Sequence, residues 1–372
     1  MNTSTHEELT MDFAKHIQNH QTLVDGYEEV RGEIRYFGDP RILVVAGPTG
    51  VGKSTLARSL VNNARRERAD KIRRDPGYIP ALYGVAMTPD SKGFCWKDFL
   101  TRLLIRSGEP LLSQRLPESD WENPFYKGPL ANYRESDSAA SLRRSVENAF
   151  RERGTQLLVI DEAHHMFMAD DPKKLEAQFE AVKCLSTMLR ANIVLVGTYS
   201  LLKIRELSGQ LARRTKIIHF PRYDIRVDSS FHQFVQAFIG LLVELPVKNH
   251  KLEGLRDAVA VYKKTGGMVG VLKDWMTNAL VKYYASDDEN KCFDLDFLMS
   301  NAFQNRDIKT MVTEALEGEF RMIDLPSESI DELIFGTNNV EVTEKKSSRK
   351  SGPYFERNPV RNPVGGASGY SQ

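Results

Sequence analysis

Residues 41–56 read RILVVAGPTGVGKSTL: an apolar run, Ile42–Ala46, leads into Gly47, four further residues, then Gly52, Lys53 and Ser54. The spacing is G-x-x-x-x-G-K-[ST], with a buried-strand pattern before it and a helical pattern after it, the context this motif requires. Gly47, Gly50 and Gly52 let the backbone wrap closely round a polyphosphate, with N–H groups and a helix N-terminus facing negative charge. The candidate nucleotide-binding segment is Gly47, Pro48, Thr49, Gly50, Val51, Gly52, Lys53, Ser54 and Thr55. Lys53 is placed to reach the β- and γ-phosphates and Ser54 to ligate Mg²⁺. The competing explanation is a chance glycine-rich turn, and the lysine, the hydroxyl and both flanks argue against it. ATP and Mg²⁺ are the expected ligands.

A second apolar run, Leu157–Ile160, ends in Asp161 and Glu162. Downstream of a phosphate loop, adjacent carboxylates at a strand end complete an ATPase site. Asp161 is expected to hold the Mg²⁺ shell and Glu162 to polarise the attacking water. NIVLVGT (192–198) is a further buried strand that ends in Thr198, a candidate for contacting the water or the γ-phosphate, or else an ordinary strand end. Arg213 and Arg214 close a helical pattern just before another strand, Ile217–Phe220.

The 372 residues allow two or three domains with a sizeable core. The formal net charge is +1, so bulk electrostatics does not demand a nucleic acid and any DNA contact needs a local patch. The densest basic run in the presumed core, Arg58 to Arg74, holds Arg58, Arg65, Arg66, Arg68, Lys71, Arg73 and Arg74, against Glu67 and Asp70, and all but Arg58 are taken as DNA-binding candidates. It reads equally as a phosphate-backbone contact or as a solvated helix end. Lys92 and Lys97 flank another helix start and are further DNA candidates, although ordinary surface lysines explain each singly. Cys95, Cys184 and Cys292 form no C-x-x-C pair, which speaks against a zinc site or a disulfide framework. They are expected to be small buried hydrophobes. No segment has the uninterrupted apolar length of a membrane span, and the chain reads as cytoplasmic.

Segment 1–40 is polar and reads as partly helical, with an irregular apolar pattern and a turn-rich approach, RGEIRYFGDP, to the first strand. Residues 41–224 read as the ATPase core and 225–325 as a helical domain. Within the core, 109–138 holds four prolines and Trp121 and reads as a long loop or insertion. Residues 326–372 read as a disordered basic tail.

The order of parts resembles an AAA+ ATPase: strand and phosphate loop, strand, strand with DE, polar strand tip, paired arginines, helical domain opening on a glycine turn. Within that class the chain resembles the transposon-encoded TniB/TnsC regulators, relatives of MuB and IstB. The resemblance rests on GPTGVGKST (47–55), LLVIDEAHH (157–165), IVLVGT (193–198), QLARRTKIIHFPRYD (210–224) and TGGMVGVLKDWM (265–276). It implies an α/β fold: a P-loop AAA+ core with a central parallel β-sheet flanked by helices, a small C-terminal helical lid and a flexible tail. It also implies ATP hydrolysis between subunits of a ring or helical homo-oligomer on double-stranded DNA, and recruitment of a transposase with a target-selection protein. Arg214, with Arg213 as runner-up, would be the arginine finger. The phenylalanine usual after the finger is replaced by Thr215. A G-x-x-R arginine is absent from the lid, where Lys273 is the nearest cation for a second sensor. The rival reading is an AAA+ switch of the origin-recognition or signalling type, assembled on a protein partner.

Overall fold

The computed structural model describes residues 3–36, 40–88, 93–108, 139–169, 171–206, 215–247, 250–286, 291–324 and 334. Contacts divide the chain into a unit over Met1–Ile323 and a second over Asp324–Gln372, and the elements below belong to the first. The stretch 109–138 and nearly all of the expected tail lie outside the described residues.

Five strands form one parallel sheet: β1 (Ile42–Ala46), β2 (Ala81–Val85), β3 (Leu157–Asp161), β4 (Asn192–Gly197) and β5 (Thr215–His219), in the order β2-β3-β4-β1-β5. Successive side chains of a strand point to opposite faces, and here both faces are covered. Leu43, Val45, Val159, Val194 and Val196 pack with Leu56, Leu60 and Val61 of α3 (Lys53–Glu67) and with α2 (Gln21–Tyr36). Val44, Leu158, Ile160, Ile193 and Leu195 pack on the other side with α5 (Trp96–Arg106), α6 (Ala139–Arg153) and α7 (Pro172–Leu189). Burial on both faces explains why these strands read as continuous apolar runs. The chain leaves β1 for the far edge, returns through β3 and β4, and crosses β1 to reach β5. Reversals of this kind open a crevice at the carboxyl ends of the strands, where ligands bind. Glycine 47 and Asp161 both stand at that end.

Beyond the sheet, α8 (Asp228–Val243), α9 (Gly254–Thr265), α10 (Val269–Ala285) and α11 (Leu295–Ser300) enclose a separate apolar cluster of Phe234, Phe238, Leu272, Trp275 and Phe293. Phe13 of α1 (Thr3–Lys15) joins this cluster. The final helix, α12 (Asn305–Met322), sends Met311 and Val312 back onto the sheet-side cluster.

Two sequence expectations change and one is refined. Residues 31–36 belong to helix α2 and are not a turn-rich approach. Leu23, Tyr27, Val30 and Ile34 recur at helical spacing and pack against α3 and the sheet. The helical pattern after the phosphate loop resolves into two helices: α3 ends at Glu67, and α4 (Ala69–Arg74) restarts beyond Arg68. Finally, Cys95 and Cys184 are exposed and Cys292 is half-buried. Cys95 precedes the first turn of α5, and Cys184 lies off the α7 stripe of Phe179, Val182 and Leu185 that packs on the sheet. Among the described residues, no helix is long and apolar enough to cross a membrane.

Candidate nucleotide site and basic surfaces

The phosphate loop is seated by close backbone contacts. Gly47 N–H donates to the Gly197 carbonyl over 3.4 Å, and Phe220 N–H donates to the Ala46 carbonyl over 2.8 Å. A Cβ on Gly47 would stand 2.0 Å from the Phe220 carbonyl oxygen, so no other residue fits without moving the chain. Gly50 and Gly52 have φ of 76° and 101°, the left-handed region that side chains disfavour. No side chain caps the start of α3 at Gly52. Its first-turn N–H groups are therefore open to an anion, reinforced by the helix dipole.

Lys53 opens α3, and its ammonium donates to the Pro48 carbonyl over 2.6 Å, closing the loop on itself. Burial pushes the Lys53 pKa down to about 8, against the opposing pull of Glu162, Asp161 and Glu314. A half-buried cation held by one carbonyl, with carboxylates nearby, fits the arrival of a polyphosphate and its metal. Ser54 and Thr55 follow in the first turn of the same helix, both half-buried.

Asp161, at the end of β3, is buried; its Oδ2 accepts a 2.7 Å hydrogen bond from the Tyr83 hydroxyl and its Oδ1 accepts from Glu162 N–H at 2.9 Å. Tyr83 comes from the adjacent strand β2. Burial first, then the Asp161 charge, raises its pKa above the ordinary phenol value. Glu162 has φ 52°, rare for a residue with a side chain, and this turns its carboxylate out of the strand line. Burial, then repulsion from Asp161, raises the Glu162 pKa, with Lys53 and His165 opposing. A carboxylate made more basic in this way suits proton acceptance. Thr198, just past β4, shares a 2.7 Å hydrogen bond with Ser200. The loop residues, Lys53, Asp161, Glu162 and Thr198 thus gather at one end of the sheet. These donors suit ATP with Mg²⁺: the open N–H groups and Lys53 would hold the phosphates, and Ser54 with Asp161 the metal. Bound Mg²⁺ neutralises the charge that develops on the phosphates.

Other candidates are placed differently. The Lys273 ammonium donates to the Ala14 carbonyl over 2.6 Å and also to the His16 carbonyl, so in this conformation it holds the end of α1. Arg213 and Arg214 lie outside the described residues, as does Lys92. Arg65, Arg66, Arg73 and Arg74 are exposed at the far end of α3 and on α4. Arg68 donates to Gln156 over 3.3 Å, Lys71 sits 3.8 Å from the Tyr78 ring centre, and Arg73 pairs with Asp70. Gln156 precedes β3, which puts this run at the amino end of the strands. Exposed Lys97 opens α5 beyond the carboxyl end of β2. The two basic groups therefore stand at opposite ends of the sheet and do not form one patch.

Sequence reasoning missed Tyr83 and His20. The His20 Nδ1 is 3.0 Å from the Tyr223 hydroxyl, which also accepts from Thr22 N–H at 3.1 Å. The ring stands beside Gly52, with Nε2 3.7 Å from where a Cβ on that glycine would lie. Burial lowers the His20 pKa to about 4. No local spacing marks either residue, because both act across distant parts of the chain.

Residues 35–205 match the family model described as AAA domain. No curated protein matches the chain. Among solved structures, the chain is similar to the Aeropyrum pernix ORC2 protein in ADPNP–ADP complexes, with 13% identity over 79% of this chain and 72% of that one, TM-score 0.48. It is similar to the Walker-type ATPase PABY2304 of Pyrococcus abyssi, with 15% identity over 84% and 75%, TM-score 0.44. Cdc6p from Pyrobaculum aerophilum gives 14% identity over 73% and 65%, TM-score 0.47. At identities and TM-scores this low the likeness carries no information on substrate or partner. The match of residues 35–205 to the AAA domain model, the parallel sheet and the assembled phosphate site agree: the chain is an ATPase that uses ATP with Mg²⁺.

Proposed function

We propose that the chain is an ATP-dependent, DNA-binding regulator of transposition that assembles on double-stranded DNA and recruits or activates a transposase at the target site. One observation supports DNA as the assembly platform. Helix α3 starts at the phosphate loop with Lys53 and ends beside the exposed guanidiniums of Arg65 and Arg66. At 1.5 Å per residue its 15 residues span roughly 22 Å, so one helix links the nucleotide to a basic surface at the other end of the sheet. The transposition role rests on the sequence motifs that resemble TniB/TnsC regulators. In this reading hydrolysis takes place between subunits, with Arg214 or Arg213 reaching into a neighbour's site. Residues 41–224 work as the ATPase core, 225–325 as the lid and 326–372 as a flexible basic tail, whose part beyond about 340 docks a partner.

A second reading is an AAA+ switch of the origin-recognition or signalling type that assembles on protein. In its favour, Arg68, Lys71 and Arg73 already have partners within the chain, which reduces the charge available to a phosphate backbone. Electron microscopy with a slowly hydrolysed ATP analogue, with and without random-sequence duplex DNA, separates the two. Rings or filaments that require both nucleotide and DNA support the first. Assembly without DNA, or none on DNA at low salt, supports the second.

A further inference from the structure

We propose that His164 is a positioning residue that holds the Glu162 carboxylate in its working orientation through Nδ1, an inference that rests on reading Glu162 as the group that orients the attacking water. His164 lies in the 3-10 turn Ala163–Phe167 that follows Glu162. Its Nδ1 is 3.3 Å from Glu162 Oε2, off the hydrogen-bonding line. That nitrogen is buried and has no hydrogen-bond partner among the described residues. A buried ring nitrogen left in this state is costly unless a nearby group completes it. The Glu162 carboxylate is the group beside it.

The ring is itself held in place. A Cβ on Gly197, the last residue of β4, would stand 3.2 Å from both the backbone N and the Nδ1 of His164. The imidazole therefore lies against the tip of β4, one residue before Thr198. On another side it rests 4.3 Å, centre to centre, from the His165 ring, which is fixed by a 2.9 Å contact between its Nδ1 and the Ala86 carbonyl oxygen. His164 thus touches both the strand end that carries Glu162 and the one that carries Thr198. Burial, with His165 and Lys53 nearby, lowers its pKa to about 4, so at neutral pH the ring is uncharged. It serves the carboxylate as a hydrogen-bond donor from Nδ1, not as a cation.

The test compares steady-state ATP turnover of the full chain for wild type, His164→Ala, His164→Phe, His164→Asn, Glu162→Gln and the double variant Glu162→Gln/His164→Ala. Thermal melting confirms folding of each. Misplacing a reacting group by about 1 Å costs on the order of 10²-fold. His164→Ala and His164→Phe are therefore expected to lower kcat by about 10- to 100-fold with little change in KM. His164→Asn, whose amide N–H can stand near the Nδ1 position, recovers most of the loss. In the Glu162→Gln background, His164→Ala costs little more, because the carboxylate it serves is gone. Equal loss in the Phe and Asn variants, additive losses in the double variant, or an unchanged kcat in His164→Ala would overturn the positioning role alone, provided Glu162→Gln lowers turnover to a measurable residual rate. Unchanged turnover in Glu162→Gln removes the role of Glu162 and that of His164 with it.

Discussion

Buried Arg222 and half-buried Glu319, 97 residues apart, meet in an ion pair: Arg222 Nη2 donates to Glu319 Oε2 over 3.1 Å, and Nε lies 3.0 Å from Oε1. The other Arg222 terminus, Nη1, donates to the Tyr262 hydroxyl at 3.0 Å and the Gly266 carbonyl at 3.1 Å. One guanidinium thus joins the segment after β5, helix α9 and helix α12. The Glu319 pKa is nonetheless raised, because burial outweighs the pull of Arg222. Removing one partner of such a pair strands the other charge, which costs about 3–5 kcal/mol. Glu319→Ala is expected to destabilise by an amount in that range, measured by urea unfolding. Replacing both residues by Met should cost less than Glu319→Ala alone.

Gly47→Ala puts a methyl group 2.0 Å from the Phe220 carbonyl oxygen. The loop must then shift away from β5, and its N–H groups lose their common focus. ATP affinity, measured by isothermal titration, should fall by at least about tenfold, while the melting temperature moves far less than it does in Glu319→Ala.

Lys53 carries a pKa of about 8 without nucleotide. Bound phosphates favour its charged form, so ATP binding above pH 8 takes up a proton and affinity weakens as pH rises past that value. Calorimetry at pH 8.5 in two buffers of different ionisation enthalpy should show this uptake, and Lys53→Met should abolish it.

Much of the site was legible before the fold because its chemistry is local. Gly47 to Ser54 and the Asp161–Glu162 pair declare themselves by spacing alone, and the apolar runs beside them became β1 and β3. What escaped depends on contacts made across the chain. Tyr83 reaches Asp161 from 78 residues away, and the His20 bond to Tyr223 spans 203. The basic candidates of Arg65–Arg74 and Lys97 carry no mark of their relative placement in sequence, and the sheet separates them because consecutive elements run between its two ends. The inward face of α2, and its reach to Tyr36, was hidden by polar residues interspersed with Leu23, Tyr27, Val30 and Ile34, the four that pack inward.

Tyr83→Phe removes a 2.7 Å hydrogen bond to Asp161 and leaves the ring in place. A hydrogen bond to a charged group contributes about 1.5–3 kcal/mol. The expected result is a several-fold change in the Mg²⁺ concentration needed for half-maximal turnover, read from a metal titration at fixed ATP, with the fold intact by circular dichroism.

His20 has a pKa of about 4 when folded, against the usual 6.5. The unfolded chain binds this proton more readily, so the stability tied to neutral His20 is complete above pH 6.5 and is lost as pH falls toward 4. The loss proceeds at up to about 1.4 kcal/mol per pH unit for this one group. Urea midpoints between pH 7 and 4.5 should fall less steeply in His20→Gln than in wild type.

The Gly50 carbonyl accepts a 3.2 Å hydrogen bond from Val271 N–H, and a Cβ on Gly270 would stand 2.5 Å from that same oxygen. Two glycines therefore meet back to back, so a peptide of the phosphate loop is also the footing of α10. Two residues further along that helix, Lys273 grips the carbonyls at the end of α1. A turn of the Gly50 peptide plane on filling or emptying the loop would pull on this footing like a crank. The chain's first helix would then register the nucleotide through a linkage of a few atoms, without touching it.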